Sequence, residues 1–326
     1  MVVMSLRGVL RGLGVERQRS NLLLYCNYLA AHASTTPTAP LSAMITGNDI
    51  EKKMKITVSI PYPDVNEILN LLLSNVQEIL DDQFIGMYLY GSLSSGDFNP
   101  ETSDIDFLVV TRDLLSEEKI AELESMHQRL WTSGLKRASR LEGSYIPQKD
   151  IRRHQPDNAP CPTINEGRFY VDRHSSDWII QRHVVREYGV VLVGPKPKAL
   201  IDPVMPDELR GAVLGILQEW WFPMLDDSSW LRKHGSNYHG YAVITMCRAL
   251  HALKHGTIVS KPVAVRWAKE NLENRWLALI DKAVASQYGQ SSDFIDETLE
   301  FIRFTKEQIS ESEELAGDLQ NAQSSS

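Results

Sequence analysis

Phe84-Ile85-Gly86-Met87-Tyr88-Leu89-Tyr90-Gly91-Ser92, then a loop, then Ser103-Asp104-Ile105-Asp106-Phe107-Leu108-Val109-Val110, is the stretch on which the reading of this chain turns. Each half is an aromatic and apolar run of strand length. Gly91-Ser92 breaks the first run, and Asn99-Pro100 with Ser103 marks the loop. Strand side chains alternate between faces, so Asp104 and Asp106 share one. Two carboxylates held together repel each other unless a cation lies between them. Mg²⁺ suits that place, because it takes oxygen ligands and is commonly held by one or two carboxylates plus substrate phosphates. Gly91 permits close approach of the backbone to a phosphate. Ser92 offers a hydroxyl, and the amides of a short helix after it would add donors.

Upstream, Pro61-Tyr62-Pro63-Asp64 reads as an entry turn with Asp64 as N-cap. Val65, Ile68, Leu69, Leu72, Leu73, Val76, Ile79 and Leu80 then recur at helical spacing. Downstream, Ser116-Glu117-Glu118 opens an amphipathic helix through Trp131, with acids where the helix dipole favours them. Arg140 to Ile146 alternates as a third strand and carries Glu142, a third carboxylate able to take a proton from an attacking hydroxyl or to complete a metal site. Pro147 to Asp172 is rich in Pro, Asn, Gln and charge and reads as a linker or long loop. Periodicity resumes from Trp178 to Val193 and ends at Gly194-Pro195. Beyond Pro206 the pattern is helical over Tyr241 to His255, Pro262 to Leu272, Trp276 to Tyr288 and Phe294 to Ile309. The tail from Glu311 is polar.

The chain has 326 residues, enough for two compact domains. Its net charge of −8 lacks the basic excess of proteins that bind long nucleic acids through phosphates. Cys26, Cys161 and Cys247 are odd in number and far apart, which excludes a disulfide framework and a zinc spacing. No apolar run has the length of a membrane span. Residues 1 to 48 carry Arg7, Arg11, Arg17 and Arg19, with Glu16 as the only acid, and end in a Ser/Thr/Pro linker. This segment is expected to be an unstructured extension or the product of an early start, with a mitochondrial transit peptide as the alternative to a cytoplasmic protein.

A D-x-D pair, a Gly-Ser turn and a strand glutamate are each commonplace. Their order here is less so: strand, Gly-Ser, loop, D-x-D opening a second strand, helix, third strand with an acid. That order resembles the nucleotidyltransferase superfamily. The helical half is similar to the aminoglycoside adenylyltransferases that modify streptomycin and spectinomycin. The resemblance lies in Tyr241-Ala242-Val243-Ile244-Thr245-Met246-Cys247-Arg248, Gly256-Thr257-Ile258-Val259-Ser260-Lys261, Ala264-Val265-Arg266-Trp267-Ala268 and Val191-Leu192-Val193-Gly194-Pro195, and spans roughly residues 60 to 310.

The resemblance implies an α/β nucleotidyltransferase-fold domain with a mixed sheet, followed by an all-α helical bundle. The expected bounds are an extension over 1–55, the catalytic domain over 56–150, a linker over 151–175, the helical domain over 176–312 and a disordered tail over 313–326. It implies that Gly91, Ser92 and Ser103 contact nucleotide phosphates, that Asp104 and Asp106 hold Mg²⁺ (two ions, with ATP as co-substrate), and that Glu142 is the catalytic base. Arg248 and Lys261 would reach the ATP phosphates from the helical domain. A monomer acting on ATP and a small hydroxylated substrate, without a long nucleic acid or a membrane, is the expectation. The alternatives are adenylylation of a protein or RNA by the same fold, and a nucleotide-binding module that transfers nothing.

One segment departs from the family. The drug-binding carboxylates and tryptophan that precede the Tyr241 helix are not matched in place. Asp226-Asp227 lies upstream, and Trp230-Leu231-Arg232-Lys233-His234 is locally basic. A polycationic drug would want carboxylates there, so streptomycin is disfavoured as acceptor. Trp220, Trp221 and Trp230 offer an apolar wall, and Tyr288 is the aromatic available for adenine stacking.

Overall fold

A computed structural model describes residues 60–165, 167–288 and 293–324. The expectations for residues 1–55 lie outside them. The chain divides into two units, the first closing at Pro203 and the second running Val204–Ser326.

In the first unit α1 spans Pro63–Leu80 and buries Val65, Ile68, Leu69, Leu72, Leu73, Val76 and Leu80, the apolar stripe seen in the sequence. Asp64 does not cap it. The N-cap is Tyr62, with proline opening the first turn as its fixed φ favours, and the Asp64 carboxylate instead receives Arg137 Nε at 2.7 Å. β1 (Phe84–Leu89) leads into a five-residue helix, α2 (Gly91–Ser95). β2 (Ile105–Thr111) is followed by α3 (Glu117–Thr132), whose N-cap Ser116 accepts from Lys119 N at 3.3 Å. β3 (Leu141–Pro147) runs parallel to β2. α3 supplies the crossover that parallel strands require.

The chain after Pro147 is more structured than its composition suggests. α4 (Gln148–Arg152), β4 (Cys161–Asn165) and β5 (Arg168–Asp172) occupy the stretch read as a linker, and α5 (Asp177–Tyr188), β6 (Val190–Val193) and α6 (Pro197–Leu200) follow. The sheet order is β5-β4-β3-β2-β1-β6, mixed because only β2 and β3 are parallel. Residues 151 to 193 therefore belong to the α/β unit. The linker expectation over 151–175 fails because β4 and β5 are short strands that extend the sheet beyond β3, with β5 at its edge. Five-residue strands carrying Pro, Asn, Arg and Asp have too little apolar alternation to stand out from a loop.

One face of the sheet packs Met87, Leu89, Ile105, Phe107 and Val109 against α1 and α3. The other packs Tyr88, Tyr90, Leu108, Val110 and Ile146 against Ile151, Trp178, Val185 and Leu200 from α4, α5 and α6. Truncating Leu69 or Leu72, both fully buried, to alanine would cost about 2–5 kcal/mol.

The second unit is helical. It comprises α7 (Pro206–Ile216), a π and a 3₁₀ segment over Leu217–Trp221 and Phe222–Leu225, α8 (Ser229–Lys233), α9 (Ser236–His255), α10 (Lys261–Asn271), α11 (Leu277–Ser286) and α12 (Ile295–Ser324). α9 is its centre, in contact with α7, α10, α11 and α12. A side chain at Gly240 would meet Ser286 Oγ at 2.0 Å, so glycine lets α9 and α11 approach. α12 continues through Ser324, where the sequence suggested a disordered tail from residue 313. Glu, Ala, Leu and Gln, which are good helix formers, dominate that stretch. No helix of the described residues is long and apolar enough to cross a membrane.

Candidate active site

The turn after β1 sets the site. Gly91 has φ +61°, and a Cβ there would stand 2.0 Å from Asp106 Oδ2. The backbone is thus pressed against a carboxylate, in a conformation that glycine adopts readily. Tyr90 N–H donates to Asp106 O at 3.1 Å and fixes this approach. Inside α2, Ser94 Oγ donates to Gly91 O at 2.9 Å, and Asp97 N–H donates to Ser92 O at 3.1 Å. The loop to β2 closes on Ser103, whose hydroxyl accepts from Asn99 N at 2.9 Å while its own N–H donates to Asn99 O at 2.9 Å. That hydroxyl keeps a proton to donate.

Asp104, just before β2, faces Arg140, whose Nη1 lies 3.3 Å from Asp104 Oδ1 and 3.4 Å from Thr102 O. Asp106 on β2 is the register partner of Glu142 on β3. Neighbouring strands lie about 4.8 Å apart, so these two carboxylates stand side by side on one face of the sheet. The Tyr90 ring, 7 % exposed, packs on that same face. Burial first, then the charges of Asp106, Glu142 and Asp177, hold its hydroxyl well above the usual tyrosine range. The parallel register therefore gathers Asp106, Glu142 and Tyr90, with Asp104 at the adjoining strand end and Gly91 and Ser92 at the turn.

Sequence reasoning passed over Arg140 and Asp177. Arg140 precedes the third strand and carried no motif. Asp177 opens α5 and accepts Ser175 Oγ at 2.5 Å. Its Ser-Ser-Asp setting before an apolar run is the ordinary signature of a helix start, so only the packing of α5 on the sheet relates it to Tyr90.

The chemistry of the donor set suits a hard divalent cation. Asp104 and Asp106 offer carboxylate oxygens, and Arg140 already answers the negative charge of Asp104. Among the described residues no group of three or more His, Cys, Asp and Glu closes into a metal-holding set. A cation here would lean on the two aspartates and on phosphate oxygens, the manner in which Mg²⁺ is usually bound.

In the second unit Arg248 lies two turns along α9 from Tyr241, on the same face. Arg248 Nε is buried without a hydrogen-bond partner, and among the described residues no carboxylate pairs with this guanidinium. Burial lowers its pKa, and the Tyr241 hydroxyl is the one group that opposes the shift. Lys261, first residue of α10, places Nζ 5.7 Å from the centroid of the Tyr241 ring. Lys261 therefore lies over the ring of Tyr241, a residue on the Arg248 face of α9 that sequence did not single out.

The segment before this face is aromatic. Trp230 lies 4.0 Å from His234 and 4.5 Å from Tyr238, ring to ring, and Trp220 lies 5.4 Å from Trp230. Trp221 is core, 2 % exposed, while Trp220 and Trp230 are half-buried. Tyr288 is 68 % exposed.

Comparison with known proteins agrees over both units. The sequence model of nucleotidyltransferase domains matches residues 73–159, and that of the aminoglycoside adenylyltransferase C-terminal domain matches residues 200–311. An aminoglycoside (3'')(9) adenylyltransferase of Escherichia coli is 27 % identical over 262 residues, 76 % of this chain and 95 % of that protein. A spectinomycin 9-adenylyltransferase of Campylobacter jejuni is 26 % identical over 264 residues, 76 % of this chain and 98 % of that protein. The crystal structure of a spectinomycin adenyltransferase from an Enterococcus, solved with ATP and spectinomycin, shares the fold with a TM-score of 0.56 at 19 % identity, covering 73 % of this chain and 98 % of that one.

Proposed function

We infer that this chain, an aminoglycoside adenylyltransferase-like protein of the nucleotidyltransferase superfamily, moves AMP from ATP onto a hydroxyl of a small molecule. The observation that carries the reading is the in-register pair Asp106 and Glu142 beside Gly91. In the proposed reaction Glu142 takes the proton of the acceptor hydroxyl. The oxygen attacks the α-phosphorus in line, the α–β bridging bond breaks, and pyrophosphate leaves. Gly91, Ser92 and Ser103 hold phosphate oxygens. Mg²⁺, held by Asp104 and Asp106, would neutralise phosphate charge. Arg248 and Lys261 supply countercharge to the departing pyrophosphate.

The proposed acceptor is an aminoglycoside- or aminocyclitol-like molecule. The aromatic and basic character of Trp230 to Tyr238 favours one of low positive charge, spectinomycin-like rather than streptomycin-like. The test is pyrophosphate release from ATP and Mg²⁺ against a panel of aminoglycosides and aminocyclitols, with Glu142→Gln as control. Release with a panel member, lost in the control, is expected. ATP binding with no release on any small acceptor would sink the small-molecule reading and turn the search to protein or RNA acceptors.

A further inference from the structure

We propose that Arg137 is a positioning residue for the loop that carries Ser103 and Asp104, tying it to the start of α1 and to the turn before β3. The inference rests on the reading that Ser103 and Asp104 serve Mg²⁺·ATP.

Arg137 has φ +70°, in the left-handed region that residues other than glycine seldom adopt. It is also buried, 8 % exposed. Such a backbone persists only where surrounding contacts hold it. Here the contacts are those of the guanidinium. Nε donates to Asp64 Oδ2 at 2.7 Å, and the guanidinium carbon lies 5.5 Å from the centroid of the Phe98 ring. That spacing is within cation–π range. Phe98 is buried and is held as well by Tyr62, the N-cap of α1. Their ring centroids are 4.8 Å apart, and the Tyr62 hydroxyl donates to Phe98 O at 3.4 Å. One arginine thus joins three segments that are far apart in sequence.

The grip on Phe98 passes to the site through the backbone. Asn99, next in the chain, accepts the Ser103 N–H at its carbonyl and donates its own N–H to the Ser103 hydroxyl, both at 2.9 Å. Asp104 follows Ser103. From the other end, Arg137 O accepts the Arg140 N–H at 2.9 Å. Arg140 Nη1 in turn reaches Thr102 O at 3.4 Å and Asp104 Oδ1 at 3.3 Å. The contacts close a ring from Arg137 through Phe98, Asn99, Ser103, Asp104 and Arg140 back to Arg137. A loop fixed before phosphate arrives loses less freedom when it binds.

The test uses the full chain, with Mg²⁺·ATP as the probe. Dissociation constants and thermal midpoints would be measured for the parent, Arg137→Gly, Arg137→Lys, Phe98→Leu, the double variant Phe98→Leu/Arg137→Gly, Ser103→Ala and Val76→Ala. Arg137→Gly removes the guanidinium and suits the left-handed backbone, so the turn that holds Arg140 is kept. Asp64 retains Lys136 at 3.2 Å, so no carboxylate is orphaned. ATP is expected to bind about three- to tenfold more weakly in Arg137→Gly and in Phe98→Leu, the range of a cation–π contact. The double variant should bind no more weakly than the weaker single one, because both act through the same contact. Arg137→Lys keeps a cation without the planar fork and should fall between the parent and Arg137→Gly. Ser103→Ala should weaken ATP. Val76→Ala opens a cavity farther along α1 and should lower the thermal midpoint with ATP binding within twofold of the parent.

Parent-like ATP binding in Arg137→Gly, with Ser103→Ala impaired, would overturn the positioning role and leave the phosphate role of the loop standing. Parent-like binding in Ser103→Ala would overturn the reading on which the proposal rests. Losses that multiply in the double variant would overturn the route through Phe98. ATP weakened as much in Val76→Ala as in Arg137→Gly, at equal loss of thermal midpoint, would reduce Arg137 to a stabiliser of the fold.

Discussion

The α-carbon of Gly91 lies against the carboxylate of Asp106, so closely that a Cβ would stand 2.0 Å from Oδ2. Steric exclusion and a φ of +61° act together at one position. Gly91→Ala must therefore push the aspartate or the turn aside. Loss of adenylyl transfer by roughly a hundredfold or more is expected, the scale for a reacting group displaced by an ångström. Single-turnover kinetics of the variant check this, and near-parent turnover would mean the contact does not set the site.

Glu142 is assigned to proton removal, and Asp104 and Asp106 to the cation. Glu142→Gln should lower turnover by about 10²–10⁴-fold with ATP binding kept. Asp106→Asn and Asp104→Asn should lose turnover together with the Mg²⁺ dependence of ATP binding. Adenylyl transfer intact in either aspartate variant would refute the assignment.

Arg140 holds Asp104 at 3.3 Å and is partly exposed. It competes with any cation for that carboxylate. Arg140→Gln should therefore lower the Mg²⁺ concentration for half-maximal activity, by up to about fivefold for a pair of this exposure. A Mg²⁺ titration of both proteins decides it, and an unchanged or raised requirement would show that the guanidinium does not compete.

Arg248 has a buried Nε without a partner and no paired carboxylate among the described residues. Removing its charge leaves no orphaned acid behind. Arg248→Leu should keep or raise the thermal midpoint while ATP binding and turnover fall. A sharp loss of stability would instead assign the guanidinium to the fold.

Stability should carry a pH dependence from His127. Its ring is buried, bonded at 2.7 Å to the Tyr145 hydroxyl, and burial drops its pKa from 6.5 to about 3. The folded state excludes a proton that the unfolded chain accepts below 6.5. The contribution is therefore complete above pH 6.5 and is lost as pH falls toward 3. Urea midpoints across that window should decline with acidity, and less steeply in His127→Gln. Parallel declines in the two proteins would place the acid sensitivity elsewhere.

How much of this was legible beforehand depended on periodicity. The stripe from Val65 to Leu80, the runs at Phe84 and Ile105, and Arg140 to Ile146 each named their element, because one buried face repeats every 3.6 or 2 residues. Alternation put Asp104 and Asp106 on one face; Asp106 lies on β2, and Asp104 just before it. β4, β5 and β6 were not named in this way. The short, polar β4 and β5 read as loop, and Val190-Val191-Leu192-Val193 merged with the helix before it.

The sequence by itself determined the order of elements from α1 to β3, the helical character beyond Pro206, and the residue types that polyphosphate chemistry needs. Those follow from local spacing and from the chemistry of carboxylate, guanidinium and ammonium groups. Only the tertiary structure decided which of them meet. The parallel register of β2 and β3 sets Asp106 beside Glu142. The packing of α5 on the sheet relates Asp177 to Tyr90. The seating of α10 on α9 puts Lys261 over Tyr241. Register and packing are long-range contacts, fixed by which buried faces fit together, and no local spacing encodes them.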